Sequence, residues 1–204
     1  LSINPDNPYA LLNLGVVYSK LRRFPEAIAS FSTAAATAER FGDRIRLTKA
    51  LNIQGRTYAQ AGDTAKAEKL ILRAQTLATE IGYVRESALA DENLGEMMMV
   101  RRKYREAVAN LTDALKLARK IAPEGDIVAE CLRRMADAKF YLNRPESALE
   151  HIEEGLDVAR KCGEYYEMGY FYRTRGLCHS RLGEADQAVK DLEKSIETFD
   201  RYGN

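Results

Sequence analysis

The chain has only three cysteines, Cys131, Cys162 and Cys178, and they form no CxxC pair. That excludes a disulfide framework and a cysteine-rich zinc site, and a reducing, cytoplasmic setting is expected. No run approaches the 18 apolar residues of a membrane span, and Leu1 to Asn7 lack the charged and apolar regions of a secretory signal. No charge surplus exists either. Lys plus Arg is 31 and Asp plus Glu is 30, a formal balance of +1, which argues against direct binding to the phosphates of nucleic acid. A phosphate loop, a dinucleotide fingerprint, HExxH and a calcium loop are all missing. No acid, base and nucleophile stand together as a catalytic constellation. Neither an enzyme nor a bound cofactor or metal is expected. What remains is a soluble, globular composition of 204 residues, 46% apolar and 30% charged.

The chain is rich in regular spacing. Gly15 is followed by Ala27 and Ala34 at offsets of 12 and 19, and Gly55, Ala67 and Ala74 repeat those offsets. So do Gly95, Ala107 and Ala114, then Ala136, Ala148 and Gly155, then Gly176, Ala188 and Ser195. The leading positions lie 40, 40, 41 and 40 residues apart, so five copies occupy nearly the whole chain. A second ladder, Gly42, Gly82, Gly163 and Gly203, falls where a helix-ending glycine belongs. The third copy ends instead in Pro123-Glu124-Gly125-Asp126, which explains the spacing of 41.

Each copy reads as two helices. Leu11, Leu14, Val17, Tyr18 and Leu21 recur at helical period, Phe24-Pro25-Glu26 interrupts, and Ala27, Ile28, Phe31, Ala34 and Ala38 resume it. The predicted helices run over 8–22, 24–41, 44–61, 64–81, 84–101, 104–121, 124–142, 145–162, 165–182 and 185–202, with no strand. Four of five copies accept a mid-helix glycine that costs about 1 kcal/mol relative to Ala. Close helix approach at that register is the expected reason, with Phe31, Ile71, Leu111, Ile152 and Leu192 filling the space between.

This pattern resembles the tetratricopeptide repeat (TPR). Leu14-Gly15, Tyr18, Phe24, Ala27, Phe31 and Ala34 match its signature in order. Gly55, Tyr58, Gly62, Ala67, Ile71 and Ala74 repeat it, as do Leu94-Gly95, Tyr104, Ala107, Leu111 and Ala114. Copies four and five depart: Lys139 and His179 stand where Tyr18 and Tyr58 stand, and Arg175 replaces the usual Leu. The 40-residue period and endings such as Ala118-Arg119-Lys120 resemble the subgroup found in kinesin light chains, polarity adaptors and bacterial regulators. The resemblance implies an all-α fold, an α-α superhelix or TPR solenoid of five helix-turn-helix repeats. The expected repeats are 8–47, 48–87, 88–128, 129–168 and 169–204, in one solenoid domain, with 1–7 ending a preceding repeat. Because Leu1 begins in mid-repeat and no polar capping helix follows Asn204, a segment of a longer protein is expected.

The resemblance further implies a concave groove lined by the first helix of each repeat, where a peptide or helix of a partner protein binds. Carried onto this chain, the groove residues are Lys49, Asn52, Arg56, Glu92, Glu96, Met99, Arg133, Asp137, Phe140, Tyr141, Tyr170, Arg173 and Arg181, beside Leu12, Val16 and Leu89. Apolar groups in such positions mark either a docking surface or packing between long helices. Phe140, Tyr141, Tyr170 and Arg173 together favour docking. Lys49 and Asn52 only partly echo the carboxylate clamp of chaperone-tail binders. A peptide-binding scaffold, which the subgroup resemblance places in a bacterial signalling or transcription regulator, is one reading. The alternative is a structural spacer or self-association module, pairing weakly with a second copy through exposed end repeats.

Other constellations read as structural. Cys178-His179 lacks further ligands at metal spacing, so Cys178 is expected as a small interior residue. Of Met97-Met98-Met99, two are expected in the core and Met99 in the groove. Lys20-Leu21-Arg22-Arg23 and Arg101-Arg102-Lys103 sit where cations favour a helix C-terminus. The cluster Tyr165, Tyr166, Tyr170, Phe171 and Tyr172 suits protein contact better than bases. If the small register is right, Ala67→Leu overpacks the second copy and lowers stability by about 1–3 kcal/mol in chemical denaturation; an unchanged midpoint sinks that register.

Overall fold

The computed structural model describes residues 7–202, so the N-terminal segment from Leu1 and the last rung of the glycine ladder, Gly203, lie outside the described residues. Among the described residues there are ten helices and no strand. They are α1 (Pro8–Lys20), α2 (Phe24–Arg40), α3 (Arg44–Gln60), α4 (Thr64–Glu80), α5 (Val84–Val100), α6 (Tyr104–Ile121), α7 (Asp126–Tyr141), α8 (Pro145–Cys162), α9 (Tyr165–Leu182) and α10 (Ala185–Tyr202).

Local chemistry sets the ends. Asn7, Asp43 and Asp63 cap α1, α3 and α4, accepting from the backbone N–H of Tyr9 (2.9 Å), Arg46 (3.0 Å) and Lys66 (3.1 Å). Pro8, Pro25 and Pro145 occupy first-turn positions, where no N–H is needed. Gly42, Gly82 and Gly163 are left-handed, and the next residue's N–H reaches back five residues, as from Asp43 to Ala38 O at 2.8 Å. Helix α7 starts at Asp126 rather than 124, because Ala122 is extended and Gly125 is the N-cap. Helix α1 stops at Lys20, short of 22, because Arg22 has φ +57°. Arg22, Arg102 and Asn143 hold the turn that glycine holds in copies two and five, and Arg at that conformation costs roughly 1–2 kcal/mol.

The described residues form two compact units, one ending at Met97 and the other beginning at Met98. In the first, α1 packs on α2, α2 on α3 and α3 on α4, and α1 also touches α3. In the second, α6 packs on α7, α7 on α8, α8 on α9 and α9 on α10, with α7 touching α9. Helix pairs are therefore stacked in succession within each unit, with first helices side by side. Ala27, Ala67, Ala107 and Ala148 are fully buried, as are Phe31, Ile71, Leu111 and Ile152 beside them; Leu192 in α10 is only half-buried.

The small register is enforced by contact. A Cβ added to Gly15 would lie 2.4 Å from the Phe31 ring, and one added to Gly155 would lie 2.1 Å from that of Phe171. Positions 34, 74 and 114, in the register of 155, hold Ala, while positions 50, 90 and 131, in the register of 171, hold Ala, Ala and Cys. Copy five thus exchanges a small pair for a glycine and a phenylalanine. Because Phe171 is fully buried and cannot swing away, Gly155→Ala should lose about 1–3 kcal/mol despite its better helix propensity. In urea denaturation, Gly155→Ala with Phe171→Ala should cost less than the two changes summed; strict additivity would refute the pairing.

Candidate functional site

In the first unit, α1 and α3 form the walls of two adjoining clefts. One, of about 520 Å³, is lined by Tyr9, Leu12, Asn13, Val16, Ile45, Lys49 and Ile53, together with Asp43 and Arg46. The other, of about 290 Å³, takes in Val16, Ser19, Lys20, Ile53, Arg56, Thr57 and Gln60. Val16 and Ile53 are common to both, so their floor is apolar. Lys49 and Arg56 stand along the walls. Lys49 Nζ lies 5.6 Å from the Tyr83 ring centroid, and Arg56 is 3.9 Å from Glu96.

Two expected groove residues are corrected here. Asn52 and Glu92 are each 1% exposed and present no surface to a ligand. Asn52 is held between helices: its amide donates to Glu86 Oε2 at 3.2 Å, and its oxygen accepts from Asn93 Nδ2 at 2.8 Å. The partial carboxylate clamp loses its asparagine to this network. Leu12 belongs to the core of the unit, while Val16 and Leu89 are half-buried. Burial pushes the Glu86 carboxyl above its ordinary range, against the Asn52 hydrogen bond and the charges of Lys49 and Arg85.

In the second unit, α7 and α9 bring together most of the residues expected there. Tyr170 is the centre. The guanidinium of Arg133 lies 4.9 Å from its ring and that of Arg173 lies 5.0 Å away. Tyr166 and Phe199 meet it edge-on, at 5.4 Å and 4.9 Å. Hydrogen bonding to Tyr166, then burial, pushes the Tyr170 phenol above its ordinary value, so it stays neutral. Arg133 is mostly buried and ion-paired to Glu167 and Asp137. Asp137 also accepts from Thr174 and lies 3.8 Å from Arg173. Arg173, 44% exposed at its side chain, retains access to solvent. Phe140, expected to line the groove, is instead buried: Arg181 covers its ring at 3.9 Å and donates to its carbonyl at 2.8 Å. Tyr141 turns aside and stacks on Tyr104 of α6 at 4.9 Å. Met99 is half-buried, with Met97 and Met98 buried.

The tyrosine cluster read from the sequence is divided. Phe171 and Tyr172 are buried, Tyr166 and Tyr170 share the α7–α9 face, and Tyr165 stacks on Tyr202 at 4.9 Å. Glu167, Thr174 and Phe199 escaped sequence reading, since nothing in their spacing reveals that they meet Arg133, Asp137 and Tyr170. The departures in copies four and five are answered locally. Arg175 grips Asp191 through two nitrogens, at 2.8 and 2.6 Å, and reaches Glu153 at 2.8 Å. Lys139 donates to Ser147 at 2.8 Å. Burial pushes the Cys178 thiol up to about 11, as suits an interior residue. No group of three metal-binding side chains occurs among the described residues, and none of their helices is long and apolar enough to cross a membrane.

Sequence patterns of the tetratricopeptide repeat match residues 7–80 and 86–161, and a second form matches 165–198. The chain belongs to the tetratricopeptide repeat family, whose members are generally non-catalytic protein-interaction scaffolds. No curated protein matches the sequence. Among solved structures, BtubC (BKLC) from P. vanneervenii is 18% identical with a TM-score of 0.80, over 98% of this chain and 84% of that one. A Rap protein complexed with Competence and Sporulation Factor is 16% identical with a TM-score of 0.85, over 100% of this chain and 57% of that one. A signal transduction ATPase with a tetratricopeptide repeat sensor, from Pyrococcus horikoshii, is 18% identical with a TM-score of 0.82, over 96% and 30%. At these identities the likeness is one of fold: an all-α helical-repeat solenoid.

The Glu86 network makes a pH prediction. Above the ordinary glutamate value, about 4.3, the unfolded chain has lost the proton that folded Glu86 still holds. Stability therefore falls as pH rises from there through the raised folded value. Glu86→Gln keeps an acceptor for Asn52 and should gain more stability over wild type at pH 7 than at pH 4. Equal differences at both pH values in urea melts would refute this.

Proposed function

We propose that this chain binds a peptide or helix of a partner protein along the exposed faces of its first helices, with the α7–α9 face as the principal contact. The observation that carries the reading is Tyr170, a half-buried, neutral aromatic braced by two guanidinium groups and two further rings. A braced aromatic loses little freedom on binding, which is the character of an interface anchor. Along α9, Tyr166, Tyr170, Arg173, Leu177 and Arg181 follow helical spacing, and Leu177 is exposed. Arg133 is committed to two carboxylates and positions Tyr170 rather than meeting the partner. Arg173 and Arg181 are the cations left to meet an acidic side chain, beside an apolar one resting on Tyr166 and Leu177. In the first unit, Val16 and Ile53 offer an apolar floor between Lys49 and Arg56 for the same kind of ligand.

The setting that fits is the sensor or regulatory part of a bacterial signalling or transcription regulator. Two neighbours of the same fold support it: one carries its repeats as the sensor of a signal transduction ATPase, and one was solved with Competence and Sporulation Factor.

Selection from a random peptide library should enrich sequences pairing an acidic residue with an aromatic or aliphatic one. Tyr170→Ala with Arg173→Ala should weaken binding of those peptides by about 2 kcal/mol or more, with unchanged helicity by circular dichroism. Equal affinity for wild type and variant would exclude the α7–α9 face.

A further inference from the structure

Nine of the eleven lysines are exposed, and Lys49 and Lys139 are half-buried. Lys66, Lys103 and Lys161 face carboxylates: Asp63, Glu106, and the pair Glu124 and Asp157. Such partners hold an amine in its charged form. Lys49 lies against the Tyr83 ring and Lys194 against that of Tyr172, contacts that also favour the cation. Among the described residues, Lys139 has no carboxylate at ion-pairing distance. Its register carries Tyr18, Tyr58, Met98 and His179 in the other copies, all buried or half-buried. Copy four therefore brings an amine to a place that elsewhere takes a large, partly covered side chain.

Two groups of α8 meet that amine. Lys139 Nζ donates to the Ser147 hydroxyl at 2.8 Å, and His151 Nδ1 lies 3.5 Å from it. The same ring nitrogen is 3.0 Å from the Ser147 carbonyl. A carbonyl can only accept, so Nδ1 carries the proton and offers Lys139 no lone pair. The ammonium is left with one protein acceptor, a neutral hydroxyl. Burial pulls Lys139 below its ordinary value; Glu150 opposes this and Arg144 adds to it. Burial and the Lys139 charge lower His151 as well, against Glu154 and Glu150. A lysine withdrawn from water, beside another cation and without a carboxylate, is a nucleophile near neutral pH.

We propose that Lys139 is a site of acyl modification, accepting a short acyl group from a thioester. The free amine attacks the thioester carbonyl. The C–N bond forms, the C–S bond breaks, and the amine proton leaves with the thiol. The resulting amide keeps one N–H, which suffices for the Ser147 hydroxyl, and it carries no charge into a half-buried place. The site is separate from the peptide face: Lys139 turns to α8, whereas Arg133 and Asp137 turn to α9.

Acetyl-coenzyme A alone, with no enzyme added, tests this on the 204-residue chain, with peptide mass spectrometry following each lysine over time. At pH 7, Lys139 should be acetylated about threefold or more faster than exposed Lys69, Lys116 and Lys190, because more of it is free amine. That lead should shrink as the pH rises to about 10, where the exposed lysines also lose their protons. A difference in access alone would be the same at both pH values. Ser147→Asp sets a carboxylate against the amine, in the first turn of α8, where an acid suits the helix. It should keep wild-type helicity yet slow Lys139 relative to Lys116 by about threefold or more at pH 7. Acetylation of Lys139 at or below the rate of the exposed lysines at pH 7 overturns the proposal. So does a lead that persists unchanged to high pH, or a Ser147→Asp variant that reacts like wild type.

Discussion

The structure depends on how closely the backbones of adjacent helices approach. At the crossing points there is space for a hydrogen, a methyl group or one ring, and never for two large groups. Fully buried Ala27, Ala67, Ala107 and Ala148 mark that limit, and each lies beside a large buried neighbour. Where copy five puts in Phe171 and Phe199, glycines at 155 and 169 take up the volume. Interiors packed to crystal density permit such exchanges only in pairs.

Polar groups at junction positions are tolerated where they find partners from the next helix. Arg175, in a register that elsewhere carries Leu14, Gln54, Leu94 and Met135, meets Asp191 and Glu153. Asn52, Asn93 and Glu86 form a buried polar knot between α3 and α5. The knot withdraws one carboxyl from water, and that burial favours its protonated form. These side chains distinguish one junction from another within an otherwise uniform repeat.

The same geometry creates the proposed binding face. First helices lie side by side, so residues one helical turn apart on α7 and α9 interleave into a single surface. Basic and acidic groups there largely neutralise each other, leaving Tyr170 as a rigid centre and Arg173 beside it. Such a surface suits the proposed recognition by shape and a few charges, in a family of interaction scaffolds.

The sequence by itself determined the number of copies, the all-α class and nearly every helix boundary. Each rests on local rules: helical period, capping chemistry, and glycine or proline at turns. It also assigned Arg133, Asp137 and Phe140 to one first helix and Tyr170, Arg173 and Arg181 to the next, α7 and α9. Only tertiary structure decided that Asn52 and Glu92 are buried, that Tyr141 turns to Tyr104, and that Phe199 supports Tyr170 from α10. Those outcomes depend on side chains some 30 to 40 positions apart, whose meeting is set by helix crossing and neighbouring volume rather than by spacing along one helix.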